Sequence, residues 1–172
     1  MFANGTMPKI KNVLFICYAN TCRSPAAEYL AQYYANKHQL KDVNFSSAGW
    51  HDAFDHSQPE TINYIKNKGI NMQDFHPKVI TRELIENQDL IIGMERYHLI
   101  KLRKKFKDLK ENLKGKLFTL KQFNEADKND LNILDPYKTG VNNYNRILAI
   151  VDENVEKLVK KILKLNESED SS

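Results

Sequence analysis

Cysteine is nearly absent from this chain: Cys17 and Cys22 are the only two among 172 residues. Two thiols cannot build the disulfide framework of a small secreted domain, so a reducing cytoplasm is the expected compartment. No apolar run approaches the ~18 residues of a membrane-spanning helix. The opening MFANGTMPKIKN carries no apolar core of a secretory signal. Repeats, low-complexity blocks and linkers rich in Gly, Pro or Ser are missing as well. One domain over about 10–165 is therefore expected, with 1–9 and the acidic end 166–172 as flexible termini. Charge of one sign is not in large excess, since 26 Lys and Arg face 22 Asp and Glu. A net charge of +4 suits an anionic ligand or a basic surface and gives no ground of its own for nucleic acid. His38, His51, His56, His76 and His98 form no metal-ligand spacing with Cys, Asp or Glu. No metal or cofactor is expected.

What is present is an apolar content of 41%, enough for a core in a chain of this length. VLFIC (13–17) reads as a buried strand, VNFSSAG (43–49) as a second, DLIIGM (89–94) as a third and KLFTL (116–120) as a fourth. Between them lie helical patterns. Ala27, Leu30, Ala31 and Tyr34 follow Pro25, which fits a first-turn position because its missing N–H would be unpaired there anyway. A helix over 57–67 stops at Gly69, ITRELIEN (80–87) opens with Thr81 as an N-cap, and a charged helix covers about 95–108. Ile147, Val151, Val155, Leu158 and Ile162 mark a final amphipathic helix of roughly twenty residues. Strand and helix alternating predict an α/β fold: three layers, a four-stranded parallel sheet, helices on both faces. Ligands of such sheets sit beyond the carboxyl ends of the strands, which is where Cys17 falls.

Cys17 is followed by Tyr18, Ala19, Asn20, Thr21 and Cys22, then Arg23, Ser24 and Pro25 at a helix start. A loop curled over a helix N-terminus points backbone N–H groups at one centre and favours an anion such as phosphate. Arg23 adds a planar fork able to bind two phosphate oxygens. The same positive field lowers a thiol pKa from about 8.5 to ~3.5–7.5, making Cys17 a nucleophile. Ser24 is placed to donate a hydrogen bond to it. Asp135, in LDPYKTG, is open to two readings: Asp-Pro as a turn starter, which the residues alone favour, or a general acid and base for the leaving group and the attacking water. KLRKKFKDLK (101–110) is the strongest basic run and the basis of a rival reading as a nucleic-acid-binding module. Leu99, Leu102, Phe106 and Leu109 repeat at helical spacing there, so a solvated helix face is the simpler reading.

VLFICYANTCRSPAAE resembles the signature of the low molecular weight protein-tyrosine phosphatases, roughly V-x-F-V-C-x-G-N-x-C-R-S-P-x-A-E. The likeness continues through SAG (47–49) and GM (93–94) to DPY (135–137). It implies hydrolysis of protein phosphotyrosine through a phosphocysteine on Cys17. Arg23 and loop residues 18–22 with Ser24 would hold the phosphoryl group, and Asp135 would serve as acid and base. Phosphorylated proteins or peptides would be the substrates, with phosphate-like anions as inhibitors and neither nucleic acid nor membrane as partner. The family glycine is replaced by Ala19, which would cost about 1–2 kcal/mol if that position needed a positive φ. The resemblance further implies that Tyr137 and Trp50 wall the cleft. A branch of the family with threonine at the place of Thr21 acts on phosphoarginine, and FTLKQF (118–123) resembles that branch; phosphotyrosine stands first and phosphoarginine second. Thioredoxin-coupled arsenate reductases share a similar loop but need further cysteines downstream, and none follows Cys22. Reversible pairing of Cys17 with Cys22 would protect the nucleophile from over-oxidation.

Overall fold

A computed structural model of the chain describes residues 8–170. Four parallel strands form one sheet in the order β2-β1-β3-β4, with β1 at Asn12–Cys17, β2 at Asn44–Gly49, β3 at Leu90–Gly93 and β4 at Leu117–Thr119. Val13 to Ile16 of β1 are fully buried, because β1 lies between β2 and β3 and has both faces covered. Alternate side chains split the core in two. Val13, Phe15, Leu90 and Ile92 pack beneath α1 (Arg23–Lys37) and α6 (Val141–Asp170). Leu14, Ile16, Ile91 and Leu117 face the other way, toward Ile85 of α3 (Arg82–Glu86) and Leu99 and Leu102 of α4 (Arg96–Lys105). The three-layer α/β architecture is the expected one.

Element boundaries follow local chemistry. Pro25 sits in the first turn of α1, and α2 (Pro59–Asn67) likewise opens on a proline. Thr81 caps α3 by accepting from Leu84 N at 3.2 Å. The charged helix is shorter than its pattern predicts: Phe106 leaves helical geometry and a 3₁₀ turn, Lys107–Leu109, follows. The end of the expected fourth strand is instead a one-turn helix, α5 (Leu120–Phe123). Thr119 Oγ1 accepts from Gln122 N, and Gln122 Oε1 accepts from Thr119 N.

The last helix departs most from expectation. It spans 30 residues and reaches Asp170, past the boundary expected at 165. Asn166 is buried there and bridges to Ile10 by two 2.8 Å hydrogen bonds, to its N–H and its carbonyl. Lys9 pairs with Asp170 at 2.9 Å. The acidic end is thus structured through Asp170, because its polar side chains satisfy the backbone entering β1. Residues 1–7 and 171–172 of the expected flexible termini lie outside the described residues. No helix among the described residues is long and apolar enough to cross a membrane.

Candidate active site

Cys17 ends β1 opposite Gly49 of β2, and the loop Tyr18–Cys22 folds back over that glycine. A Cβ on Gly49 would stand 2.5 Å from Asn20 N and 2.6 Å from the Ala19 carbonyl carbon, so only glycine admits the loop here. The protein body binds the loop's carbonyls. Tyr18 O accepts from Trp50 N and His51 N, Thr21 O from Gln58 N and Ser57 Oγ, and Cys22 O from Thr61 Oγ1. Among the described residues, no N–H from Tyr18 to Cys22 donates to a protein acceptor. Oriented amides at the head of α1 are the makings of an anion cradle.

The strained position is Asn20, with φ of 57°, and not Ala19. Asparagine tolerates this region, and Asn20 is held on three sides. Its Nδ2 donates to Ser24 Oγ (2.9 Å) and Ser47 Oγ (2.8 Å), and its Oδ1 accepts from Lys78 N at 2.8 Å. The strain expected from alanine in the family's glycine position therefore does not arise. Ser24 Oγ receives the Asn20 amide, so its single proton is free to point at Cys17 Sγ, 2.9 Å away.

Arg23 is 1% exposed and its guanidinium is divided between two tasks. Nη1 donates to Glu95 Oε1 at 2.5 Å and to the Ile133 carbonyl at 2.6 Å. Nε has no partner although buried, and Nη2 has only Asp135 Oδ2 at 3.5 Å. One edge of the fork is tethered while the Nε/Nη2 edge stays available for a bidentate anion. Burial pulls the pKa of Arg23 down, but the charges of Cys17, Asp135 and Glu95 outweigh it and leave it raised. The guanidinium is a permanent cation here.

Cys17, Tyr18, Ala19, Thr21, Cys22, Arg23, Asp135 and Tyr137 line one cavity of about 220 Å³, while Asn20 and Ser24 support it from behind. Asp135, 118 residues from Cys17 in the chain, is 40% exposed at the mouth and accepts from Tyr137 N at 3.1 Å, a local turn that aims the carboxyl. The turn reading of Asp-Pro is seen directly, and the same turn leaves the Asp135 carboxyl lining the cavity. Burial pushes the Cys22 thiol up to about 12, which keeps it neutral. Both cysteines are free.

Trp50 does not wall the cavity. It is buried on the opposite face of the sheet with Ile80 and Leu99, beneath Lys101 and Lys105 at 4.9 and 5.6 Å from its ring. Phe54 takes the expected place, edge-on to Tyr137 with centroids 5.7 Å apart. The connection from β2 to α2 has no periodicity to tell the two aromatics apart. Glu95, which tethers Arg23, was also missed. Its place just beyond the carboxyl end of β3, beside β1, was the available signal. His98 backs Glu95: its Nδ1 accepts from Glu95 N at 3.1 Å, and the ring is fully buried. No group of three or more His, Cys, Asp or Glu that could hold a metal occurs among the described residues.

The sequence model of the family described as low molecular weight phosphotyrosine protein phosphatase matches residues 12–168. The chain belongs to that family. Among curated members, it is 29% identical over 154 residues to the protein-arginine-phosphatase of Bacillus subtilis, covering 89% of this chain and 97% of the relative. The low molecular weight protein-tyrosine-phosphatase Etp of Escherichia coli is 24% identical over 90% of this chain and 96% of its own. Among solved structures, the YwlE arginine phosphatase of Geobacillus stearothermophilus superposes with a TM-score of 0.77. It is 27% identical, with 90% of this chain and 94% of the other covered. This low molecular weight phosphatase thus has both tyrosine-directed and arginine-directed relatives.

Proposed function

We propose that the chain is a protein phosphatase that works through a phosphocysteine, with phosphoarginine as its first substrate class. The single observation carrying the catalytic reading is the convergence of Cys17, the open edge of Arg23 and Asp135 on one cavity. In the first step Cys17 Sγ attacks phosphorus in line. The bond from phosphorus to the leaving nitrogen or oxygen breaks, and Asp135, as the acid, gives that atom its proton. Arg23 Nε and Nη2 together with the loop N–H groups hold the equatorial oxygens and stabilise charge developing on them. In the second step Asp135, now carboxylate, takes a proton from water. The water oxygen bonds phosphorus, the S–P bond breaks, and inorganic phosphate leaves with the sulfur again anionic. Ser24 donates to that sulfur in both steps. A reducing cytoplasm suits a free thiol used in this way.

Thr21 favours phosphoarginine. It is 3% exposed in the cavity wall, where Gln58 Nε2 approaches its Oγ1 at 3.5 Å. A hydroxyl there offers a polar partner to a guanidinium, which an aliphatic side chain cannot. The B. subtilis and G. stearothermophilus relatives support the same order, which reverses the ranking expected from the sequence. Phosphotyrosine is the second reading, favoured by the Phe54–Tyr137 pair as a wall for a planar ring. Turnover of phosphoarginine and phosphotyrosine peptides by the wild type and by Thr21→Ile separates the two. Loss of one hydrogen bond to a charged group predicts a drop of about tenfold or more in kcat/KM for phosphoarginine, with no matching loss for phosphotyrosine. Equal losses on both would overturn the role of Thr21.

A further inference from the structure

The basic run at 101–110 takes no part in the cavity chemistry, and the fold makes it one wall of a second concavity. A groove of about 570 Å³ lies between the end of α4, the 3₁₀ turn and the start of β4. Its floor is apolar, built from Phe106, Leu113 and Leu117. Its rim is cationic: Arg103, Lys107, Lys110 and Lys114 surround it against the single carboxylate of Glu111.

Charge on this rim is uncompensated. Among the described residues, none of those four cations forms an ion pair. Asp108, the acid within the run, is instead held by Arg82 at 2.6 Å, away from them. Four like charges around one groove repel one another, so an anionic occupant gains from all four. The groove also lies away from the cavity. It meets β4 at Leu117, that strand's first residue, whereas the cavity is built beyond the carboxyl end of β1 in the same parallel sheet. An occupant here leaves Cys17 accessible.

We propose that this groove docks an acidic peptide segment of a partner protein. An apolar side chain of the segment enters between Phe106, Leu113 and Leu117, and flanking Asp or Glu carboxylates pair with the rim. Two features select a peptide over other polyanions. A phosphodiester backbone has no aliphatic group to set against the apolar floor. A lipid surface is flat or convex, whereas this apolar patch is recessed behind its charges.

The test uses the full-length chain and a fluorescent nonapeptide of Asp and Glu around one central Phe, carrying no phosphate, read by anisotropy at low salt. Binding is expected, weakening as salt rises. Replacing the peptide's Phe by Ser is expected to weaken it several-fold. Lys110→Glu with Lys114→Glu is expected to weaken it about tenfold, with turnover of p-nitrophenyl phosphate unchanged. Cys17→Ser is expected to bind the peptide as the wild type does, which separates this site from the catalytic cavity. Equal affinity for the Phe and Ser peptides, or unchanged affinity in the doubly reversed variant, overturns the proposal. Tighter binding of a DNA duplex or of phosphatidylserine vesicles at the same salt overturns it too.

Discussion

Acidification tests the burial of His98, and through it the support of Arg23. The ring is fully buried, and its Nδ1 is occupied as an acceptor by Glu95 N at 3.1 Å. The remaining proton is therefore on Nε2, and the imidazole is neutral. Burial, then the positive charges of Arg23 and Lys101, push its pKa down to about 3 from an ordinary 6.5. Above pH 6.5 neither the folded nor the unfolded chain protonates this ring, and its contribution to stability is complete. Below 6.5 the unfolded chain takes up a proton that the folded chain refuses. Stability then falls by up to about 1.4 kcal/mol per pH unit until the folded ring itself titrates near 3. Between pH 6.5 and 5 the loss from this one group is about 2 kcal/mol. Urea unfolding at pH 7 and pH 5, at fixed ionic strength, measures it against His98→Asn. The asparagine amide oxygen keeps an acceptor for Glu95 N but does not titrate. The wild type is expected to lose about 2 kcal/mol more than the variant over that interval. Equal losses in the two proteins would refute the argument, since every other titrating group is shared.

Cys17→Ser is expected to abolish turnover while vanadate or phosphate still protects the chain against thermal unfolding; retained turnover would end the proposed mechanism. Asp135→Asn removes the proposed proton donor and is expected to cut kcat by about 10²–10⁴ with a smaller change in KM, because it leaves the loop and Arg23 in place. Gly49→Ala forces a methyl group to within 2.5 Å of Asn20 N. It is expected to destabilise the fold by roughly 1–3 kcal/mol in urea titration and to lower kcat/KM as the loop is displaced; a wild-type loop and wild-type rate would contradict the close contact.

The loop after β1 was legible because its parts are contiguous. A buried strand, five residues of loop and an Arg-Ser-Pro helix start put Cys17 and Arg23 at one place whatever the rest of the fold does. Alternating strand and helix patterns likewise carried the parallel sheet, and the second strand was expected to end at Gly49, whose reason for being glycine, the approach of Asn20, appears only in three dimensions. Asp135 was legible only through its likeness to a family, since Asp-Pro by itself serves turns far more often than proton transfer.

Tertiary structure alone decided the rest, because the deciding contacts join segments far apart in the chain. Glu95 reaches Arg23 across 72 residues, and His98 resists protonation below pH 6.5 because packing buries it and sets it near the charges of Arg23 and Lys101. Phe54 and Trp50 lie in one irregular connection, and only the path of that connection turned the first into the cavity and the second into the core. Asn166, within an end that reads as solvated from composition, is helical and buried because Ile10 presents both its N–H and its carbonyl to one amide side chain. Local pattern sets which segments become strand, helix or anion-ready loop. Which distant carboxylate or ring meets that loop depends on packing, and no local pattern encodes it.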